Sequence, residues 1–207
     1  MIKAIFFDIG GVLLDTGLLA RRFVKVFRPR DAKNFWHELN LRVIPLCKNQ
    51  ISEAQFCTQM ADSEGIPRGK VPKNLWTNDF KKLVIINKKV LRIANQLRQN
   101  YKVGIISNTM GPHVKIMGKM GLFDYFDAAI FSNEVGMTKD SRDIFLLAAK
   151  SINVKPRGCI FVDDIPEFVN VAKSAGMKGI LYKNPEKLES ELKRLLNSGK
   201  WVSQNGI

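Results

Sequence analysis

Three short apolar runs each stop at a small polar or acidic cluster, and this restricts the fold more than any other feature of the chain. Lys3-Ala4-Ile5-Phe6-Phe7 stops at Asp8, with Gly10-Gly11 just beyond. Val103-Gly104-Ile105-Ile106 stops at Ser107-Asn108-Thr109, and Cys159-Ile160-Phe161-Val162 at Asp163-Asp164. A continuous apolar run of this length, bounded by turn formers, reads as a strand buried on both faces. Between the runs apolar residues recur at helical spacing, as at Val90, Ile93, Ala94 and Leu97, at Ile144, Leu147 and Ala148, and at Val169 and Ala172. Gly179-Ile180-Leu181-Tyr182 supplies a further strand. Pro185 to Leu196 is a closing helix with Leu188, Leu192, Leu195 and Leu196 on its apolar face. Alternating strands and helices predict an α/β fold, a parallel sheet with helices on both faces. Ligands of such sheets bind beyond the carboxyl ends of the strands, so the three polar clusters are expected at one edge.

Residues 17–86 interrupt the alternation with helical signals and no convincing strand pattern. Ser52-Glu53-Ala54-Gln55 is a capping box, Phe56 and Met60 follow four apart, and Gly65-Ile66-Pro67 is a stop. The expected organisation is a core of residues 1–16 and 87–197, a helical insert of 17–86 able to close over the carboxyl edge, and a frayed tail of 198–207. At 207 residues and 45% hydrophobic content the chain can bury a core with a modest insertion. Its longest apolar runs fall far short of the roughly 20 residues that span a bilayer. The N-terminal run is also too short, and reaches Asp8 too soon, for a signal peptide, so a cytoplasmic location is expected. Cys47, Cys57 and Cys159 are odd in number and widely spaced, which fits reduced core thiols. No zinc spacing occurs, and His37 and His113 are too isolated for a metalloprotease or a His-based triad.

The net charge of +14 raises the question of nucleic acid. Its distribution argues against it: residues 17–86 hold 13 Lys+Arg and 6 Asp+Glu, half of the surplus, and the other half is spread over the rest. The densest stretch, Arg21 to Arg30, places Phe23 and Phe27 four apart and reads as an amphipathic helix ended near Pro29. No nucleic-acid partner is expected, and a positive surface favours the approach of anionic substrates such as phosphate esters.

Each polar cluster alone has a bland explanation, since Asp and Ser cap helices and Asn starts turns. Three at one sheet edge are a different matter. Clustered carboxylates repel unless a cation relieves them, and oxygen ligands beside room for phosphate oxygens suit Mg²⁺.

At these residues the chain resembles the haloacid dehalogenase-like hydrolase superfamily. Phe7-Asp8-Ile9-Gly10-Gly11-Val12 is similar to its first motif, Ile106-Ser107-Asn108-Thr109 to its second and Gly136-Met137-Thr138-Lys139 to its third. Phe161-Val162-Asp163-Asp164, running on through Ala172 and Gly176, is similar to its fourth. The resemblance implies a Rossmann-like core and a Mg²⁺-dependent phosphatase of a small phosphorylated metabolite, with an aspartyl-phosphate formed at Asp8. It implies that Asp8, the Gly10 carbonyl and Asp164 bind the metal while Asp163 supports the metal's waters. Ser107 and Asn108 would hold the phosphoryl oxygens, and Lys139 would orient Asp8 and offset charge. Alone, Lys139 reads as a solvated lysine before a helix starting near Asp140, and only the motif reverses that. The insert would be the small helical cap of the family's first cap class.

Three positions depart from the pattern. Gly10 stands where most relatives carry the Asp that protonates the leaving oxygen and activates water, a contribution on the order of a hundredfold to ten-thousandfold. Asp140 replaces a common Pro, and Phe168 replaces an Asn, removing a polar contact. A Gly-containing first motif also resembles that of bacterial glucose-1-phosphate phosphatases, so a sugar phosphate is among the candidate substrates. Asp15 could reach back as a substitute acid, though a hinge residue is the simpler reading. A dehalogenase is disfavoured by the intact Asp163-Asp164. The alternative function is a catalytically weak or inactive relative that acts by binding a partner.

Overall fold

The structure, a computed structural model, describes residues 1–67 and 69–196, and the tail expected at 198–207 lies outside the described residues. The chain runs through β1 (Ala4–Phe7) and β2 (Leu14–Asp15) into helices α1 (Gly17–Phe27), α2 (Ala32–Cys47), α3 (Glu53–Ser63) and α4 (Leu75–Leu83). It returns by β3 (Ile85–Ile86), α5 (Lys88–Leu97), β4 (Lys102–Ser107), α6 (Gly111–Lys119), β5 (Ala128–Phe131) and α7 (Ser132–Val135). It closes with α8 (Arg142–Ser151), β6 (Cys159–Asp163), α9 (Pro166–Ser174), β7 (Lys178–Leu181) and α10 (Pro185–Leu196).

The five long strands form one parallel sheet in the order β5-β4-β1-β6-β7. This is the expected α/β architecture. Alternation along each strand sorts side chains between two layers. Ile5, Phe7, Val103, Ile105, Ile160 and Val162 face a core layer with α5 and the inserted helices, while Ala4, Phe6, Ile106 and Phe161 face α8 and α9. Gly104 makes room in the second layer, because a Cβ there would lie 2.6 Å from the Phe6 ring. With both faces covered, the central strands are buried end to end, which is why they read as unbroken apolar runs.

Three details differ from expectation. β5 was not legible, since its sequence Ala-Ala-Ile-Phe is half alanine, a weak strand former. It is held at the sheet edge by pairing with β4. Ile85–Ile86, expected inside an all-helical insert, pairs antiparallel with Leu14–Asp15, so the two crossings between sheet and inserted helices form one ribbon. Asn87 pins that ribbon: its N–H donates to the Leu13 carbonyl at 2.9 Å, and its Nδ2 reaches the Val12 carbonyl and the Tyr182 hydroxyl. The helix after Lys139 starts at Arg142, where the Ser141 hydroxyl accepts from the Asp143 N–H. The capping box at Ser52 and Gln55 forms as expected. Phe23 and Phe27 are buried on α1, which ends at a left-handed Arg28. Among the described residues, no helix is long and apolar enough to cross a membrane.

Candidate active site

Parallel register brings the polar clusters together. Phe7 lies level with Ile105 and Val162, so one step further along the strands Asp8 stands beside Asp163. The Asp8 N–H donates to the Val162 carbonyl at 2.9 Å, continuing the ladder past the strand end. Lys139, only 2% exposed, places its Nζ 2.8 Å from Asp8 Oδ1 and 2.7 Å from Asp163 Oδ2. The other Asp163 oxygen accepts the Ile165 N–H at 2.8 Å. Asn108 Oδ1 accepts the Lys139 backbone N–H at 2.9 Å, so the amide's NH₂ is the part that can donate elsewhere. Ser107, at the end of β4, is buried in the floor of the same site. The solvated-lysine reading of Lys139 is thereby replaced by a fully enclosed ion triad.

The electrostatics follow from that enclosure. Burial would lower the Lys139 ammonium, but Asp8 and then Asp163 outweigh it and hold its pKa above the ordinary lysine value. Burial, and after it the Asp8 charge, pushes the Asp163 carboxyl up, with Lys139 opposing. Asp164 is also raised, by burial and then by Asp8. Three carboxylates therefore share one internal cation. Asp8, Asp163 and Asp164 each offer an oxygen, all within 4.8 Å of one another. Gly11 allows the third to approach: it has φ +75°, and a Cβ there would fall 2.1 Å from Asp164 Oδ2. A set of oxygen donors with surplus negative charge, pressed against a loop without side chain, fits a hard divalent cation.

The three departures acquire physical meaning. At Gly10 an added Cβ would meet nothing nearer than Thr16 Cγ2 at 4.0 Å, so the position has room for a side chain. Phe168 was expected to cost a polar contact; instead its ring centre lies 4.6 Å from Lys139 Nζ, a cation–π contact on the enclosed ammonium. Asp140 is exposed and accepts from the Thr138 hydroxyl. Asp15 fits the hinge reading: its Oδ1 accepts the Gly17 N–H at 2.8 Å at the start of α1, and it is not among the residues that line the cavity over Asp8.

A cavity of about 660 Å³ lies over Asp8, Ser107, Asn108, Lys139 and Asp164, between the sheet edge and the inserted helices. Several of the residues in and around it escaped the sequence reading. Ser132 follows the unread strand β5, and its hydroxyl accepts the Thr109 N–H and donates to the Thr109 carbonyl, fixing the loop after Asn108. Cys47 arrives from the end of α2 and hydrogen-bonds Ser132; burial pushes its thiol up to about 12, so it stays protonated. His113, dismissed as isolated, stacks on Phe80 with ring centres 3.8 Å apart, and burial lowers its pKa to about 3. Its position six residues after Ser107, on the first turn of α6, was the only available signal.

Comparison with known proteins places these features in a family context. The family model for haloacid dehalogenase-like hydrolases matches residues 2–176. The chain is 28% identical to a D-ribitol-5-phosphate phosphatase of Bacteroides thetaiotaomicron, over 96% of this chain and 100% of that one. It is 27% identical to a glyceraldehyde 3-phosphate phosphatase of Pyrococcus furiosus, over 92% of this chain and 85% of that one. Among solved structures, the magnesium complex of a haloacid dehalogenase-family enzyme from Bacteroides thetaiotaomicron superposes with a TM-score of 0.67 at 25% identity, covering 88% of this chain and 93% of the other.

Proposed function

The chain belongs to the haloacid dehalogenase-like hydrolases and is a phosphate-hydrolysing enzyme, and we propose that it is a Mg²⁺-dependent phosphatase acting on a small phosphorylated metabolite through an aspartyl-phosphate at Asp8. The observation that carries this reading is the buried Lys139 bridging Asp8 and Asp163 at one edge of a cavity, with Asp164 beside them. The named relatives hydrolyse phosphorylated polyols and aldehydes, which supports a small phosphate ester here. We assign residues 17–86 as a cap over the core of 1–16 and 87–197, hinged at the ribbon of β2 and β3.

In this mechanism an Asp8 carboxylate oxygen forms a bond to phosphorus as the ester P–O bond breaks and its electron pair leaves on the substrate oxygen. Water then attacks the phosphorus as the bond to the Asp8 oxygen breaks, releasing phosphate and restoring the carboxylate; the departed oxygen takes a proton from solvent and the attacking water returns one to it. Lys139 fixes the Asp8 carboxylate and meets the charge spread over the equatorial oxygens, while Ser107 and the Asn108 NH₂ donate to those oxygens. Asp8, the Gly10 carbonyl and Asp164 would hold Mg²⁺, with Asp163 in support; when bound, the ion supplies further positive charge to the phosphoryl group. Gly10 leaves the departing oxygen without a carboxylic acid at that position. The partner-binding alternative has no observation of its own, whereas the Lys139 bridge between Asp8 and Asp163 supports the phosphatase reading. A cytoplasmic location belongs to the same reading, since three buried free thiols suit a reducing compartment.

The test is phosphate release from a panel of phosphate monoesters with Mg²⁺ and with EDTA. Release that requires Mg²⁺ is expected. Release unchanged by EDTA would remove Asp164 from its role, and no release from any ester would return the inactive alternative.

A further inference from the structure

The wall of the cavity and its floor have opposite character. The floor is ionic. The inserted segment carries 13 Lys+Arg, yet among its described residues no charged side chain lines the cavity. What it presents from α1, α2 and α4 is Leu19, Phe23, Trp36, Leu39, Val43 and Trp76. Asn40 is the one amide among them, and His113, held neutral by burial, adds no charge.

We infer that the organic part of the substrate is mainly apolar, an arylalkyl or branched aliphatic group, and not a polyol chain; this rests on the phosphatase reading above. A polyhydroxyl chain placed against such a wall would lose water from each hydroxyl without recovering the hydrogen bonds, a loss repeated along the chain. An apolar group instead gains by displacing water from Phe23, Trp36 and Val43. The cavity volume of about 660 Å³ lies within the range that encloses a compact organic ligand. Two buried ring nitrogens behind the wall, Trp76 Nε1 and His113 Nε2, have no hydrogen-bond partner among the described residues. They are a donor and, in a neutral imidazole whose other nitrogen bonds the Trp76 backbone, an acceptor. Both atoms are enclosed, so neither offers a hydroxyl on the substrate a hydrogen bond from the wall. Substrates of the named relatives are polyol or aldehyde phosphates, so the wall marks a divergence in specificity from them.

The experiment compares 2-phenylethyl phosphate with ribitol 5-phosphate, both esters of primary alcohols, so that leaving-group quality does not decide the result. The kcat/KM of the phenylethyl ester should exceed that of the ribitol ester on the order of tenfold to a hundredfold. Val43→Asn, at a half-buried wall position away from the reacting groups, should erase most of that advantage through KM with kcat nearly unchanged. Binding of 2-phenylethylphosphonate, whose C–P bond cannot be hydrolysed, is followed in the wild type by tryptophan fluorescence and should be tighter than binding of inorganic phosphate. Equal or better turnover of the ribitol ester would overturn the inference while leaving the phosphatase reading intact. Tight phosphonate binding with no turnover of either ester would do the reverse. A phosphonate that binds no better than phosphate would also overturn the inference.

Discussion

The floor and the wall of the cavity come from two regions that encode their roles differently. The floor is set by the core sheet: Asp8, Ser107, Asn108 and Asp163 sit at strand ends, where an apolar run has to stop and a polar residue in sequence marks the edge. The wall is set by helices α1, α2 and α4, whose apolar faces look the same in sequence whether they meet a neighbouring helix or a ligand. Phe23 makes the point, since one ring both contacts Phe27 and Trp76 and lines the cavity. Chemistry at a sheet edge demands residue types that packing alone would not choose; shape at a helical wall makes no such demand.

The comparison breaks first, and with the largest effect, at Asp8. Asp8→Asn keeps the size of the side chain and removes the nucleophile, so phosphate release should fall to background with the circular dichroism spectrum unchanged. Near-native turnover of a clean preparation would take the chemistry away from the sheet edge. Loss of fold along with activity would show instead that Asp8 matters mainly as a partner of Lys139.

Lys139→Met tests the floor as structure as well as chemistry. It leaves Asp8 and Asp163 buried without their shared cation, and breaking a buried pair from one side typically costs about 3–5 kcal/mol. Chemical denaturation should show a loss of that order together with loss of turnover. The sign with pH follows from the raised Asp163 pKa: without Lys139 to oppose it, the carboxyl is protonated more easily, so the variant should recover stability as pH falls. A variant no less stable than wild type at neutral pH would mean that the carboxylates escape to solvent.

Gly10 is where the floor lacks a carboxyl group beside the departing oxygen. Without an acid there, turnover should fall steeply as the leaving group becomes more basic, with aryl phosphates ahead of primary alkyl phosphates of similar shape. The open space around a Cβ at this position makes Gly10→Asp a fair test, since the nearest atom is 4.0 Å away. The substitution should raise rates on alkyl esters by roughly tenfold to a hundredfold and change aryl esters little. A flat leaving-group series in the wild type would point to another acid already in place. Asp15 is a poor candidate for that acid, with one of its oxygens engaged by the Gly17 N–H.

The same division decides what could be read before the structure was in hand. The three buried strands that deliver chemistry, and the parallel sheet that gathers their ends, were legible because each apolar run is bounded by a residue that no core strand would carry. Strand β5 was not, because two alanines leave the pattern without amplitude, and Ser132 was lost with it. Lys139 needed the motif, since its burial is created by Asp8 and Asp163, which lie 131 and 24 positions away along the chain. Cys47 had no signal and His113 only its place shortly after Ser107, because their surroundings are assembled by α2 packing on α7 and by α4 packing on α6.

Phe168 belongs to both regions, and the smallest expected effect lies there. Its ring lines the cavity, and its face stands 4.6 Å from the Lys139 ammonium, so it acts either as wall or as part of the floor's charge balance. An enclosed cation–π contact is worth about 0.5–2 kcal/mol. Phe168→Leu keeps an apolar wall and removes the ring, whereas Phe168→Asn restores the polar contact common in the family and removes the apolar surface. If the ring substitutes for that polar contact, the Leu variant should lose kcat severalfold on every ester, and the Asn variant should keep kcat while its KM for 2-phenylethyl phosphate rises. The two variants thus separate charge from shape at one position. Equal kcat for Leu and wild type would assign Phe168 to the wall alone and leave Asp8 and Asp163 as the groups that hold Lys139 charged.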